Sequence, residues 1–461
     1  MNTQQKQKAY FPLLDQGFIP LEICYRQYLK EATMPVRIAL ERNDGYVSVF
    51  DTLNCEGNDC CVRNCEMMTA ILRILLESRG GYLVTIAGNE QVADDLRCVF
   101  SAKGQRAFDV YRMELIYEHR FEIRAVPYEA CPKQRIESRA VGQHLDGCRI
   151  GFDAGGTDRK VSAVINGQTV YSEEVIWHPK EAEDPSYHYH EILSAFQTAA
   201  SKMPTVDAIG ISSAGVYVRN RAVRASLFNR IKTPYPEEVK NIYLRAGKAI
   251  GNVPIEVLND GDVTALAGLM ATGEGALLGI AMGTSQAGGY VDAKGHITGW
   301  LNELAFLPID CSEYAPIEAA SGDAGIGSQY FSQDAVIRLA KTAGLDISTK
   351  LSLAEQLHAV QEKMELDDPK AKSVYTSIGC YLGHTLPLYQ RFYDLKHVLL
   401  LGRVMSGKGG DEILRTCRNV LKAVYPDTFQ ALHIFVPDEN FRRIGQSVAA
   451  ASLPNIEGRN A

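Results

Sequence analysis

The rhythm of apolar and polar positions changes near residue 145, and that change divides the chain. Before it, positions 36–50 alternate around Asn43-Asp44-Gly45, the pattern of a β-hairpin closed by a tight turn. Residues 67–76 carry apolar side chains at helical spacing and run into Gly80 and Gly81, a C-terminal stop. A short apolar run at 82–87 predicts a buried strand, 91–100 a helix, and 121–126 another strand. Residues 127–147 hold Pro127, Pro132 and a polar run, and are expected to be a linker.

After the linker the periods change. Residues 149–153 (RIGFD) form an apolar strand that runs into Ala154-Gly155-Gly156-Thr157. Strands at 160–165 and 168–174 flank the turn Asn166-Gly167. A helix is expected at 189–201, a strand at 208–212, a helix at 236–250, a strand at 255–258 and a glycine-bearing helix at 263–272. Strands follow at 276–282 and 287–291; the rest reads as helical, apart from a strand at 397–401 and a closing helix at 444–451. Hairpin-like strands followed by alternating helices and strands, occurring twice, predict two α/β lobes. The expected division is an accessory mixed α/β domain at 1–145, a first lobe at 146–272 and a second at 273–441. A C-terminal helix at 442–452 is expected to return to the first lobe.

Composition adds limits. A chain of 461 residues suggests about three domains. A hydrophobic content of 46% and a charged content of 22% are those of a globular protein. A formal charge of −7 does not favour a nucleic-acid partner, which needs a basic face. The polar start at residues 1–16 lacks a signal-peptide core, and no apolar run is long enough for a membrane helix. These features predict a cytoplasmic protein whose eleven cysteines are mostly reduced thiols.

Candidate chemistry lies at four places. Asp153-Ala154-Gly155-Gly156-Thr157 follows a strand; its glycines admit a phosphate to the backbone, and its carboxylate can hold magnesium, although such a turn also serves as a plain hairpin. Gly283-Thr284-Ser285, with Gly288 and Gly289 behind it, offers amides and hydroxyls to phosphates or is a tight turn. Asn259-Asp260 ends a strand just before a helix, where Asp260 reads equally as a general base or as a helix cap. Glu303 and Glu318 are acids suited to sugar hydroxyls; each alone reads as a solvated surface glutamate.

Their order carries more than any one of them. DxGGT, the glycine turn 210–215 (GISSAG), Asn-Asp, GT with following glycines, then Glu and Glu-x-x-Ser-Gly resembles the ROK family of sugar kinases and sugar-responsive regulators. Leu399–Ser406 (LLLGRVMS) and Arg443-Ile444-Gly445-Gln446-Ser447 are similar to the family's adenosine-side turn and final helix. The resemblance starts at about residue 146. It implies two actin-like (ribonuclease H-like) lobes with the active cleft between them, ATP and Mg2+ as cosubstrate and cofactor, and a hexose or amino sugar as acceptor. It implies that Asp153, Gly155, Gly156, Thr157, Gly283 and Thr284 line the phosphates, with Asp153 on the magnesium shell and Gly402 beside the adenosine. Asp260 would be the general base; Asn259, Glu303, Glu318 and Gly215 would meet the sugar. A homodimer is compatible with the resemblance, although no interface is legible. The competing readings are a sugar-binding regulator without catalysis and an actin-like ATPase without a sugar.

Four positions depart from the family's usual pattern. Phe306 stands where a histidine is usual. The zinc segment CxCGxxGC is absent, and Cys311 is the one thiol near its place, which argues against zinc. Ser285 makes the turn GTS instead of GTG, and Arg403 replaces a second glycine. In the extra segment, Cys55, Cys60, Cys61 and Cys65 fall close together, but their spacing fits no common metal pattern, so reduced thiols are expected. The hairpin and mixed-strand signals of residues 1–145 do not form a helix-turn-helix. Regulation, dimerisation and covering of a sugar cleft remain open roles for that segment. His188 and His190 are expected at a solvated helix start.

Overall fold

The structure is a computed structural model that describes residues 10–136, 141–319, 321–437 and 439–456. By internal contacts it divides into two compact units. One joins Met1–Glu137, Ile280–Gly288 and Trp300–Val436; the other joins Ser138–Gly279, Gly289–Gly299 and Pro437–Ala461. Part of the expected linker, 137–140, and Ala320 of the Glu-x-x-Ser-Gly motif lie outside the described residues.

In the first unit, Met34–Glu41 pairs antiparallel with Val47–Asn54 around the 3-10 turn Asn43–Gly45. Leu83–Ala87 pairs antiparallel with Met34–Glu41 on the other side and parallel with Glu122–Val126, completing a four-stranded sheet. Beside it runs the helix Cys61–Ser78, whose stripe of Met68, Ile71, Leu72, Leu75 and Leu76 is buried. Leu21–Leu29 and Ala107–Tyr117 are helices that the apolar period did not announce, because tyrosines and charged residues interrupt their buried faces. The same unit contains the long helix Pro369–Phe392, with Asp368 accepting from the amides of Lys370 and Ala371 at its start. It packs on Gly407–Val424 at close range: a Cβ on Gly379 or Gly383 would meet Thr416 or Val420 at 2.6 Å.

The other unit is built on a five-stranded sheet ordered Ile255–Asn259, Ala208–Ser213, Cys148–Ala154, Asp158–Ile165, Gln168–Ile176. The first three strands run parallel and the last three form antiparallel pairs. Phe152, Phe196, Ile209, Ile211 and Tyr243 are among the residues of its core. The C-terminal helix Glu439–Ala451 lies directly on this sheet: a Cβ on Gly151 would collide with the Ser447 carbonyl, and one on Gly210 with the Ala450 carbonyl. The expected helix at 236–250 is broken into Glu237–Lys240 and Ile242–Ile250.

A further sheet is ordered Gln286–Val291, Leu277–Met282, His397–Leu401, His433–Phe435. No helix among the described residues is long and apolar enough to cross a membrane.

His188 corrects one expectation. Its helix does begin at Pro185, but the ring is fully buried, with Nε2 2.9 Å from the Pro179 carbonyl and 3.0 Å from that of Leu227. The aromatic rings of Trp177 and Phe228 around it supply the apolar setting that the polar-tipped run Tyr187-His188-Tyr189-His190 conceals.

Candidate functional site

Three parallel strands of the second unit end at one edge, the position where open α/β sheets bind their ligands. Asp153 is next to last in one, Ser212 and Ser213 end the next, and Asn259 ends the third. Asp153 stands opposite Ser212 in register, and the Ser212 hydroxyl donates to Asp153 Oδ1 at 2.9 Å. Gln446 Nε2 donates to Ser212 Oγ (3.0 Å) and to the Asp260 carbonyl (3.1 Å), tying the C-terminal helix to the same edge.

Asp260 opens the helix Asp260–Thr272, and Asn259 caps it, its Oδ1 accepting from the Gly261 amide at 2.7 Å. Because Asn259 caps the helix, Asp260 is not needed as the cap, although its Oδ1 also accepts from the Gly261 amide at 3.0 Å. Asn259 Nδ2 donates to the Gly215 carbonyl at 2.8 Å, joining these two candidates. Gly215 has φ +136°, and a Cβ there would run into Ala225 at 2.7 Å, so glycine is required.

The DxGGT turn is held from behind by a residue that sequence reasoning missed. Buried Trp177 donates Nε1–H to the Gly155 carbonyl (2.8 Å) and its amide to the Thr157 carbonyl (3.1 Å). A Cβ on Gly155 would meet the Asp158 carbonyl at 2.6 Å, and one on Gly156 the Lys180 ammonium at 2.8 Å. Thr157 is exposed, its hydroxyl donating to Asp158 Oδ2 at 3.2 Å. Lys180 therefore places a cation beside the glycines. Its loop position, far along the chain from the motif, left no sequence signal.

Asp153 has its pKa pushed up to about 7 by desolvation, with the negative charge of Asp260 adding to the rise; the Ser212 hydroxyl and Lys160 act the other way. A carboxylate held under that electrostatic pressure next to a backbone cradle fits a magnesium–nucleotide, since added positive charge relieves it. Among the described residues no set of three or more His, Cys, Asp or Glu side chains forms a protein-only metal cage. Magnesium bound mainly through phosphates and one carboxylate does not need one. Of the four clustered cysteines, Cys55 is buried, Cys60 and Cys65 are half-buried and Cys61 is exposed.

The remaining candidates belong to the first unit. Gly283 donates its amide to Ser285 (2.9 Å), and its carbonyl accepts from Gln333 at the start of the helix Gln333–Thr342 (2.8 Å). Thr284 and Ser285 are exposed at the tip. Gly402 has φ +99°, and a Cβ there would collide with the Met282 carbonyl, so the Gly402 turn and the turn starting at Gly283 are neighbours. Glu303 is not a solvated glutamate: Arg112 lies 3.9 Å from its carboxylate, and burial raises its pKa against that arginine's pull. Glu318 is half-buried, its Oε2 accepting from the Ser321 amide at 2.6 Å. Phe306 lies under the Arg112 guanidinium, 4.0 Å from ring centroid to cation.

No family model matches the sequence, and no curated protein matches it. Solved structures do match in fold. One is a ROK hexokinase from Thermus thermophilus, with a TM-score of 0.52 and 20% identity over 67% of this chain and 97% of that one. A ROK-family glucokinase from Streptomyces griseus, in complex with glucose and AMPPNP, gives a TM-score of 0.50 and 20% identity over 67% and 99%. A ROK-family transcriptional regulator, a homolog of the E. coli MLC protein, gives 0.54 and 15% over 67% and 79%. The chain therefore has the actin-like α/β fold of ROK-family sugar kinases and of a ROK-family transcriptional regulator, within a chain longer than that fold requires.

Proposed function

We propose that the chain is a ROK-type kinase that transfers the γ-phosphoryl group of ATP to a hydroxyl of a hexose or amino sugar. The observation that carries this reading is the convergence of Asp153 and Asp260 at the ends of the two parallel strands that flank Ala208–Ser213, where burial raises the pKa of Asp153 and the charge of Asp260 adds to the rise. Two acids coupled in this way can divide the work: one faces the phosphate charge, the other accepts a proton. Asp260 would take the proton of the attacking sugar hydroxyl, and Asn259, anchored on the Gly215 carbonyl, would hold a neighbouring hydroxyl. Gly155, Gly156 and Thr157 would receive the phosphates beside Lys180, with Gly283 and Thr284 contributing amide and hydroxyl, and Gly402 bordering the adenosine. Asp153 would hold magnesium, which supplies neutralisation of phosphate charge during in-line transfer. Glu303 and Glu318 would accept hydrogen bonds from further sugar hydroxyls. The glucose and AMPPNP named for the Streptomyces griseus glucokinase support sugar and nucleotide as ligands.

In this reading residues 146–272 and 273–441 correspond to the two lobes, and residues 1–145 are an accessory addition. One observation favours a second reading, a sugar-binding regulator without turnover: the transcriptional regulator shares the fold at a TM-score of 0.54. ADP release from ATP and magnesium, measured against hexoses, N-acetyl amino sugars and polyols, separates the two. Turnover that depends on one sugar class supports the kinase. Thermal stabilisation by a sugar without turnover supports the regulator, and sugar-independent hydrolysis supports a plain ATPase.

A further inference from the structure

The loop that carries Glu303 is bonded to the extra N-terminal segment. The amides of Asn302 and Glu303 donate to the carbonyls of Ser78 and Glu77, both at 2.9 Å. Those carbonyls end the helix Cys61–Ser78, where main-chain acceptors lack partners within the helix and the helix dipole is negative. The Arg79 guanidinium lies over the Trp300 ring at 5.1 Å, and a Cβ on Gly80 would press on Leu301 at 2.9 Å.

Side chains repeat the link. Arg112 donates to Glu77 Oε2 at 2.7 Å, approaches Glu303 Oε2 at 3.9 Å and covers Phe306. Arg106 binds Asp109 through two bonds of 2.6 and 2.8 Å and forks onto both oxygens of Asp323, one of them at 3.1 Å. Arg73 adds a contact to Asp323 at 3.3 Å. Asp323 in turn receives the Glu318 amide on its carbonyl at 2.7 Å. The two loops bearing Glu303 and Glu318 are thus tied to arginines from residues 73–112. A buried carboxylate keeps its place and charge only with such partners, and the planar guanidinium fixes direction as well as charge.

We propose that the N-terminal segment is a working part of the sugar site, with Arg112 the positioning residue that aims Glu303. This rests on the sugar-kinase reading given above. Arg112 touches neither sugar nor nucleotide in this account; it acts through Glu303 and the backbone of residues 300–306.

The test uses the full chain as wild type, Arg112→Gln and Arg112→Lys, with Arg37→Gln as control, because Arg37 forms an exposed pair with Asp51 in the same segment. Steady-state kinetics with the accepted sugar and with ATP are measured beside hydrogen–deuterium exchange over residues 300–306. Arg112→Gln is expected to raise the sugar KM on the order of tenfold to a hundredfold, leaving the ATP KM unchanged. Exchange over 300–306 should quicken, Arg112→Lys should fall between, and Arg37→Gln should match wild type. A sugar KM within about twofold of wild type in a folded Arg112→Gln protein, or unchanged exchange, overturns the proposal. Should Arg112→Gln fail to fold, Arg112→Lys carries the same comparison. If wild type shows no sugar-dependent turnover, the kinase reading falls by itself. Exchange over 300–306 and sugar-induced thermal shift then decide the positioning role: accelerated exchange and a lost shift sustain it, and unchanged values reject it.

Discussion

Ser212 Oγ donates to Asp153 Oδ1 at 2.9 Å from the strand position directly opposite, and itself accepts from Gln446. The hydroxyl orients the carboxylate without neutralising it. Asp153 therefore remains a charge that the folded chain tolerates poorly and that a bound cation would relieve.

Asp153→Asn should separate stability from binding. A carboxyl whose folded pKa is raised from 3.8 to about 7 favours the folded state at low pH. That contribution is present in full below its unfolded pKa and is lost as pH rises through about 7. At pH 8 the variant is expected to be more stable than wild type by on the order of 1–3 kcal/mol, allowing for partial solvation of the site. The gap should narrow as pH falls to 5. Stabilisation by ATP with magnesium should disappear in the variant, and in wild type it should strengthen as pH rises through 7. Urea unfolding across that pH range, with and without ligand, checks both directions.

Glu77→Gln tests the charge network of the other unit. Burial raises the Glu77 pKa to about 7, Arg112 opposing and Asp109 and Glu303 reinforcing the shift. The sign is the same: wild type loses stability between about pH 4.5 and 7, by at most on the order of 3 kcal/mol from this group. Subtracting the pH profile of the variant from that of wild type should leave a falling step in this window. Parallel profiles would contradict the assignment.

Gly210→Ala should be severely destabilising. A Cβ at this strand position would overlap the Ala450 carbonyl of the C-terminal helix, a backbone atom that cannot turn aside. A cost of roughly 3 kcal/mol or more is expected, measured by urea unfolding. The same helix bears Gln446, so nucleotide stabilisation should weaken with it.

Much of the second unit was legible because its signals are local. RIGFD ending in DAGGT, the Asn166-Gly167 turn and the strand at 255–258 mark element and site together, and the structure has the corresponding strands and turn. The roles of Ser212, Trp177, Lys180 and Gln446 at the site are not legible, although Ser212 lies in the 210–215 turn and Gln446 in the Arg443–Ser447 motif. Each acts through a contact made only after the sheet forms, Gln446 reaching Ser212 across 234 residues of chain. Glu303 and Glu318 were expected to be plain surface acids when taken singly, since nothing around them announces the arginines at 106 and 112. The hairpin at 216–224 and the helix at 107–117 lacked a clean period and went unpredicted.

The most direct test compares sugar-dependent ADP release by wild type and Asp260→Asn under identical conditions. The substitution keeps size and hydrogen bonding while removing the proton acceptor. Sugar-dependent turnover is expected in wild type, with a loss of at least about 10²-fold in kcat in the variant while sugar and nucleotide still produce thermal shifts. Turnover in Asp260→Asn equal to wild type, or none in wild type with any sugar, would contradict the kinase reading.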